Sequence, residues 1–246
     1  MNEQKFTGKA DLYEKYRPSY PDGLIDYLYD NARCDRVADI GAGTGKFTRC
    51  LMKKPWKVTA VEPNADMRGK LATIEGITVV NAPAENTGLA DKSVGLVTAA
   101  QAFHWFDREK FAAECKRILA DGGKLAVVWN GFVEEGLAAR QTELCEKYSI
   151  ELQIKKAAGD DSYKSESDEF LRNEYFKSVE VAEYSGERVF DRESFIGETL
   201  SRSYAPKHGE PHYEPFAEEL NALFSEFESG GTAVVKTTTI CYLGSF

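Results

Sequence analysis

The run Asp39-Ile40-Gly41-Ala42-Gly43-Thr44-Gly45 sets a carboxylate two positions ahead of a G-x-G-x-G pattern. Glycines let a backbone turn tightly and let a ligand approach with no Cβ in the way. A dinucleotide site favours G-x-G-x-x-G, with the pyrophosphate resting on a helix N-terminus. A carboxylate at Asp39 would repel that pyrophosphate and favour a cation, such as an ammonium or a sulfonium. Glu62 lies about 20 residues beyond Gly41, where an acidic residue can accept both ribose hydroxyls. Together the two motifs point to a cofactor that contains a nucleoside. Each by itself would also suit a glycine-rich turn, a helix cap or a surface glutamate.

These residues can act together only if the chain brings them to one edge of a sheet. Arg36–Ile40 is a short apolar run that feeds the glycine loop and reads as a strand. Further strands are predicted over Lys57–Glu62, Ile77–Val80, Ser93–Ala100 and Lys124–Trp129, the last after a Gly122-Gly123 turn. Helices are predicted over Lys46–Lys53, Ala65–Ile74 and Asp107–Leu119. This alternation predicts an α/β fold with parallel strands and right-handed crossovers. The glycine loop, Glu62 and His104 then all fall beyond the carboxyl ends of strands, where ligands bind in such sheets.

The flanks differ. Residues 1–35 are polar and rich in tyrosine, with Pro21 or Asp22 opening a helix whose apolar face is Leu24, Ile25, Leu28 and Tyr29. Residues 133–175 read as mainly helical and charged. A strand is predicted over Ser178–Tyr184, helices over Phe190–Ser201 and Tyr213–Glu228, and a β-branched strand over Thr232–Tyr242. The organisation expected is a single domain over 1–246. It comprises lid helices over 1–35, a cofactor-binding core over 36–132, a helical cap over 133–229 with one core strand near 178–184, and a final strand over 230–246.

Composition narrows the partners. The chain has 246 residues, with 40 acidic against 31 basic, a net charge of −9. That balance argues against nucleic acid and anionic membrane surfaces. No apolar run would span a bilayer, and the opening MNEQKFTGKADLYEKY has no apolar h-region, so no secretory leader is expected. The cysteines Cys34, Cys50, Cys115, Cys145 and Cys241 are scattered without CxxC spacing, which reads as free thiols in a cytoplasmic protein. His208, His212 and Lys207 lie in a proline-containing loop without partners at ligand spacing, so no metal is expected.

Several motifs taken jointly resemble class I S-adenosylmethionine-dependent methyltransferases, most closely the type 11 small-molecule group. They are Asp39–Gly45, Val61-Glu62-Pro63-Asn64 with Met67, Ala84-Glu85, and Gln101-Ala102-Phe103-His104-Trp105-Phe106. Tyr16-Arg17-Pro18-Ser19-Tyr20-Pro21 and Arg117-Ile118-Leu119 with Gly122-Gly123 add to the likeness, which spans roughly residues 10–130. The resemblance implies a Rossmann-like three-layer sandwich, its seven-stranded, mostly parallel sheet carrying an antiparallel last strand. It also implies S-adenosylmethionine as cofactor. By it, Asp39, Gly41, Ala42, Gly43 and Gly45 shape the methionyl pocket and Glu62 holds the ribose. Pro63 and Met67 flank the adenine, Ala84 and Glu85 meet its edge, and Gln101 and Ala102 line the sulfonium end. The sequence departs from the family at Pro83, where an acidic residue is common, and at Gly95, where an Asp often opens the fourth strand.

Methyl transfer is an in-line displacement at a sulfonium, so positioning supplies most of the acceleration. A base is needed only when the acceptor must lose a proton, and a carboxylate acceptor needs none. His104 follows the fourth predicted strand and reads either as that base or as a structural histidine of an aromatic turn. Tyr13, Tyr16, Arg17 and Tyr20 suggest a lid, with Arg17 placed to meet a carboxylate. Trp105 and Trp129 sit at strand ends as candidate acceptor-pocket walls, and Arg202 is expected to face the pocket from the C-terminal part. The expected function is methyl transfer to a small-molecule acceptor, with a carboxylate favoured. An NAD-dependent oxidoreductase and a regulatory protein that holds the cofactor without turnover remain the alternatives.

Overall fold

Short runs rich in Val, Ala and Ile, broken by glycine and proline turns, build the centre of the molecule. The computed structural model describes residues 10–157 and 168–246; the first nine residues of the expected lid and residues 158–167 of the expected cap lie outside the described residues. The strands are β1 (Arg36–Ile40), β2 (Lys57–Val61), β3 (Thr78–Val80), β4 (Val94–Ala100), β5 (Leu119–Phe132), β6 (Ser178–Asp191) and β7 (Thr232–Ser245). They form one seven-stranded sheet in the order β3-β2-β1-β4-β5-β7-β6. β1 pairs in parallel with β2 and β4, β2 with β3, and β4 with β5. β7 runs antiparallel to both β5 and β6. The α/β expectation with a reversed last strand is therefore what the sheet shows. Strand order changes direction between β1 and β4, the switch point at which such sheets open a crevice.

The helices are α1 (Ala10–Tyr16), α2 (Asp22–Ala32), α3 (Lys46–Leu51), α4 (Ala65–Leu71), α5 (Arg108–Ile118), α6 (Gly136–Tyr148), α7 (Ile150–Ala157), α8 (Asp168–Phe170), α9 (Arg192–Leu200) and α10 (Tyr213–Phe227). Side-chain alternation along each strand feeds two cores. On one face Ala38, Ile40 and Val97 pack with Phe103 and Phe111. On the other, Val37, Val58 and Leu96 pack with Leu24 and Leu28 of α2 and with Phe47 and Leu51 of α3.

Several boundaries differ from the sequence reading, most of all the start of β5 and the end of β6. Gly122 and Gly123 lie inside β5, which starts at Leu119, and the register against β4 shifts between Val94 and Leu96. Gly95 at that shift is a steric requirement: a Cβ there would sit 2.4 Å from Cys34 Cβ. β6 runs to Asp191, well past Tyr184, so the helix expected from Phe190 begins only at Arg192. Asp191 stops the strand by capping α9: its carboxylate accepts the Ser194 N–H at 2.7 Å, and Ser194 Oγ accepts the Asp191 N–H at 3.1 Å.

β5 pairs with β7 only as far as Phe132 opposite Thr237, whereas β6 and β7 stay paired to Asp191 opposite Thr232. The paired ends leave the sheet as a two-stranded ribbon. There Phe190, Ala233 and Val235 share a third core with Leu137 of α6, Phe195 of α9, and Phe216, Leu220 and Phe224 of α10. This core gives the C-terminal cap its own apolar centre.

Candidate active site

The carboxyl ends of β1, β2 and β4 open into a cleft of about 370 Å³. The three glycines after β1 play different parts. Gly41 (φ +69°) has no room for a side chain, since a Cβ would lie 2.7 Å from Ala102 Cβ. Gly45 (φ +87°) is pressed by the end of α4 and the turn after it: a Cβ there would run into Ile74 and lie 2.9 Å from Leu71 Cδ1. Gly43 (φ +59°) has nothing within 4 Å of its Cβ position, so its bare backbone faces open space in the cleft wall.

Glu62 leaves β2 and turns back to this loop. Its Oε2 accepts the Gly43 N–H at 2.8 Å and its Oε1 accepts the Asn64 N–H at 2.8 Å. One carboxylate thus ties the two loops together. Asn64 Oδ1 caps α4 by accepting the Met67 N–H at 3.0 Å. Arg68 Nη1 donates to the carbonyls of Glu62 (3.1 Å) and Pro63 (2.8 Å), which pins the turn from behind.

Asp39 is buried beneath the glycine loop. Thr48 Oγ1 donates to Oδ2 at 2.6 Å and Thr98 Oγ1 to Oδ1 at 2.8 Å. Burial pushes its carboxyl up to about 6; the two hydroxyls oppose that shift and the charge of Glu62 adds to it. Across the cleft, burial raises the Tyr13 phenol and raises Tyr20 well above the usual range, so both stay protonated near neutral pH. Tyr20 is fixed edge-on to Phe47 at 4.7 Å. Asn130 Nδ2 donates to the Ser19 carbonyl at 3.0 Å, which ties the segment before α2 to β5.

On the third side, Gln101 takes up the left-handed region (φ +56°) and donates through Nε2 to the Asn130 carbonyl. Glu85 Oε1 accepts the Asp107 N–H at 2.8 Å, joining the loop after β3 to the start of α5. His104 sits exposed in the turn after β4, stacked on Trp129 at 5.3 Å and tilted against Trp105 at 4.5 Å.

Among the sequence-predicted residues, Asp39, Gly41, Ala42, Gly43, Glu62, Pro63, Met67, Ala84, Glu85, Gln101, Ala102, Tyr13 and Trp105 share the cleft wall. Gly45, His104, Tyr16, Arg17, Trp129 and Arg202 lie outside that wall. Tyr16 packs flat over Gly197 of α9 and donates its hydroxyl to Glu193 at 2.7 Å. Arg17 reaches Glu198 of α9 at 3.3 Å, and Arg202 reaches the same carboxylate at 3.2 Å.

The wall also includes Lys46, Phe47, Asn64, Pro83, Phe106 and Asp107, which the sequence reading did not assign. Asn64 had a legible signal, an Asn directly ahead of a helical run. Lys46 had none, because its place depends on how α3 starts after Gly45. Among the described residues no group of three or more His, Cys, Asp or Glu could hold a metal ion. No described helix is long and apolar enough to cross a membrane.

This mostly parallel sheet with its last strand reversed, opening at a glycine loop with an acid just past the next strand, is a fold also seen in solved structures described as methyltransferases. A structure from Anaeromyxobacter dehalogenans assigned as a type II methyltransferase shares this fold over 94% of the chain and 98% of its own, with a TM-score of 0.67 at 24% identity. Residues 38–127 match the family described as methyltransferase domain. An uncharacterized methyltransferase of Mycobacterium tuberculosis is 41% identical over 126 residues, 51% of each chain. A methyltransferase-like protein of Schizosaccharomyces pombe is 38% identical over 131 residues, 50% of this chain and 51% of that one. The chain thus matches about half the length of these curated relatives.

Proposed function

We propose that the protein transfers a methyl group from S-adenosylmethionine to a small-molecule acceptor, with a carboxylate oxygen as the methylated atom. The observation that carries this reading is the Glu62 carboxylate, held at the end of β2 by the Gly43 and Asn64 N–H groups in the wall of the cleft beside the open Gly43 backbone. The residues present fit the cofactor: Gly43 leaves an open cradle, and the buried Asp39 suits an ammonium rather than a phosphate. When bound, S-adenosylmethionine supplies an electrophilic methyl on a sulfonium.

In this reading Glu62 accepts the ribose hydroxyls, and Asp39 with the Gly41–Gly43 backbone receives the methionyl end. Pro63 and Met67 flank the adenine, Ala84 and Glu85 meet its edge, and Gln101 with Ala102 borders the sulfonium. Tyr13 and Tyr20, protonated and half-buried, line the opposite wall and help to keep water from the reacting atoms. His104 is held between two indoles outside the cleft wall, and no other histidine borders the cleft. A carboxylate acceptor suits this setting because its oxygen attacks without giving up a proton. Arg17, whose guanidinium lies 5.4 Å from the Tyr13 ring centre, supports an anionic acceptor.

The test is calorimetric titration with S-adenosylhomocysteine, S-adenosylmethionine and NAD in parallel, on the native protein and on Glu62→Ala. Both sulfur ligands should bind and NAD should not. Glu62→Ala should weaken S-adenosylhomocysteine about 100-fold, since it removes two acceptors and frees two backbone N–H groups. Binding of NAD alone, or unchanged affinity in Glu62→Ala, sinks the reading.

A further inference from the structure

Three guanidiniums converge on one carboxylate between α1, α9 and the β6 ribbon. Glu198 is buried; Arg17 Nη1 approaches its Oε1 at 3.3 Å, and Arg202 Nη2 and Gln141 Nε2 each meet its Oε2 at 3.2 Å. Burial pushes the Glu198 carboxyl up, but Arg202 and Arg17 overcome this and hold it below the usual carboxylate range. Arg202 goes on to Gln141 Oε1 at 2.9 Å and the Tyr204 hydroxyl at 3.0 Å. Arg188 donates Nη2 to the Tyr16 carbonyl, and its guanidinium lies 4.3 Å from the Phe190 ring centre. Burial lowers its pKa, Glu198 raises it and neighbouring Arg17 lowers it further.

Among the described residues one carboxylate faces these guanidiniums, which leaves the cluster with excess positive charge. Arg17 Nε and Arg188 Nη1 are buried donors with no hydrogen-bond partner among the described residues. Unpaired buried donors are costly, more so on charged groups, so native structures keep them few. The cluster also adjoins the cofactor cleft. Tyr13 lines that cleft, carries Arg17 on its ring, and feels the charges of both Glu62 and Glu198. Lys46 lines the cleft as well, and the charge of Arg188 reaches it.

We infer that Arg17 and Arg188 form an anion-binding site between lid and cap that holds a carboxylate of the acceptor other than the one methylated. The acceptor class is then a small dicarboxylic acid, and the product is its monoester. This rests on the methyl-transfer reading above. The held carboxylate is not the reacting one, because the Tyr13 ring stands between Arg17 and the cleft, and guanidinium bonds would occupy the lone pairs that attack. In the reaction the free carboxylate oxygen forms the new O–CH3 bond while the S–CH3 bond breaks. The bonding pair passes to sulfur, and no proton moves. Arg188 is the specificity-determining residue, since Arg17 and Arg202 already serve Glu198.

The test uses the full chain saturated with S-adenosylhomocysteine. It is titrated with straight-chain dicarboxylates of four to six carbons, their monoamides, and a monophosphate ester of matching length. A dicarboxylate should bind at least tenfold tighter than its monoamide. Arg188→Gln should erase that preference, Arg188→Lys should keep part of it, and S-adenosylhomocysteine affinity should stay within about twofold. Equal binding of acid and monoamide to the native protein overturns the inference, however the variants fold. So does a preference that survives Arg188→Gln, and so does tighter binding of the phosphate ester. Failure to bind S-adenosylhomocysteine at all strikes the methyl-transfer reading and the inference together, and is separately visible in the first titration.

Discussion

At the carboxyl ends of β1 and β2, two buried carboxylates are held by neutral donors: Asp39 by two threonine hydroxyls, Glu62 by two backbone N–H groups. Between lid and cap the sign is reversed, for one buried carboxylate, Glu198, is met by Arg17 and Arg202 with Arg188 close by. Neutral donors leave a negative field, which suits a cofactor carrying ammonium and sulfonium charges. Surplus guanidinium leaves a positive field, which suits an anionic acceptor. The two regions meet at Tyr13, a protonated phenol that keeps opposite charges apart without carrying one itself. In the proposed reading, this contrast sets a cationic cofactor beside an anionic acceptor before reaction.

The contrast breaks most visibly at Glu198. Replacing it with Gln strands buried guanidiniums, and we expect a loss of about 3–5 kcal/mol in unfolding free energy by denaturant titration. A loss under about 1 kcal/mol would show that the cluster does not join the lid to the cap.

Asp39 comes next. Its carboxyl titrates at about 6 in the folded chain against an ordinary 3.8, so the folded state holds the extra proton between those values. Stability should therefore fall as pH rises from about 4 to 6, by about 3 kcal/mol in total. Asp39→Asn should flatten this slope in urea titrations across the window; an identical slope in both proteins would remove Asp39 as its source.

The glycines sharpen the comparison within the loop. Gly45→Ala forces a Cβ into Ile74 and should cost about 2–3 kcal/mol in stability. Gly43→Ala meets open space and should cost about 1 kcal/mol in stability while weakening S-adenosylhomocysteine more strongly than Gly45→Ala does. Reversal of the two patterns in paired melting and calorimetry would reassign the cradle. The smallest effect belongs to His104→Ala, which should change S-adenosylhomocysteine affinity by less than about twofold because the His104 ring lies outside the cleft wall, packed on Trp105 and Trp129. A large loss would move His104 to the cofactor side.

Much of the first region was legible because its parts are local. Asp39 through Gly45 is a contiguous strand-to-helix turn, and Glu62 is one strand–helix–strand unit away. Periodicity therefore placed both at the same sheet edge. The second region draws on residues 17, 188, 198 and 202; apart from the i,i+4 pair of Glu198 and Arg202, no spacing rule connects them. Arg188 has no signal of its own in the sequence, where the predicted strand stops at Tyr184. It became informative only because β6 continues past Tyr184 beside β7 and carries it against the carbonyl of Tyr16. The length of β6 was hidden for a similar reason: a glycine at 186 reads as a break, yet its partner Thr237 holds it in the ladder.

The amino-acid order alone determined the α/β alternation, the glycine loop and the acid on the second strand, since short-range periodicity and turn chemistry specify those directly. Tertiary structure decided which glycine bears the cleft and which only packs. It also decided which tyrosines are buried and where the surplus arginines converge. Those outcomes depend on burial and on neighbours distant in sequence, and desolvation and unpaired charge exist only once the lid, sheet and cap have come together.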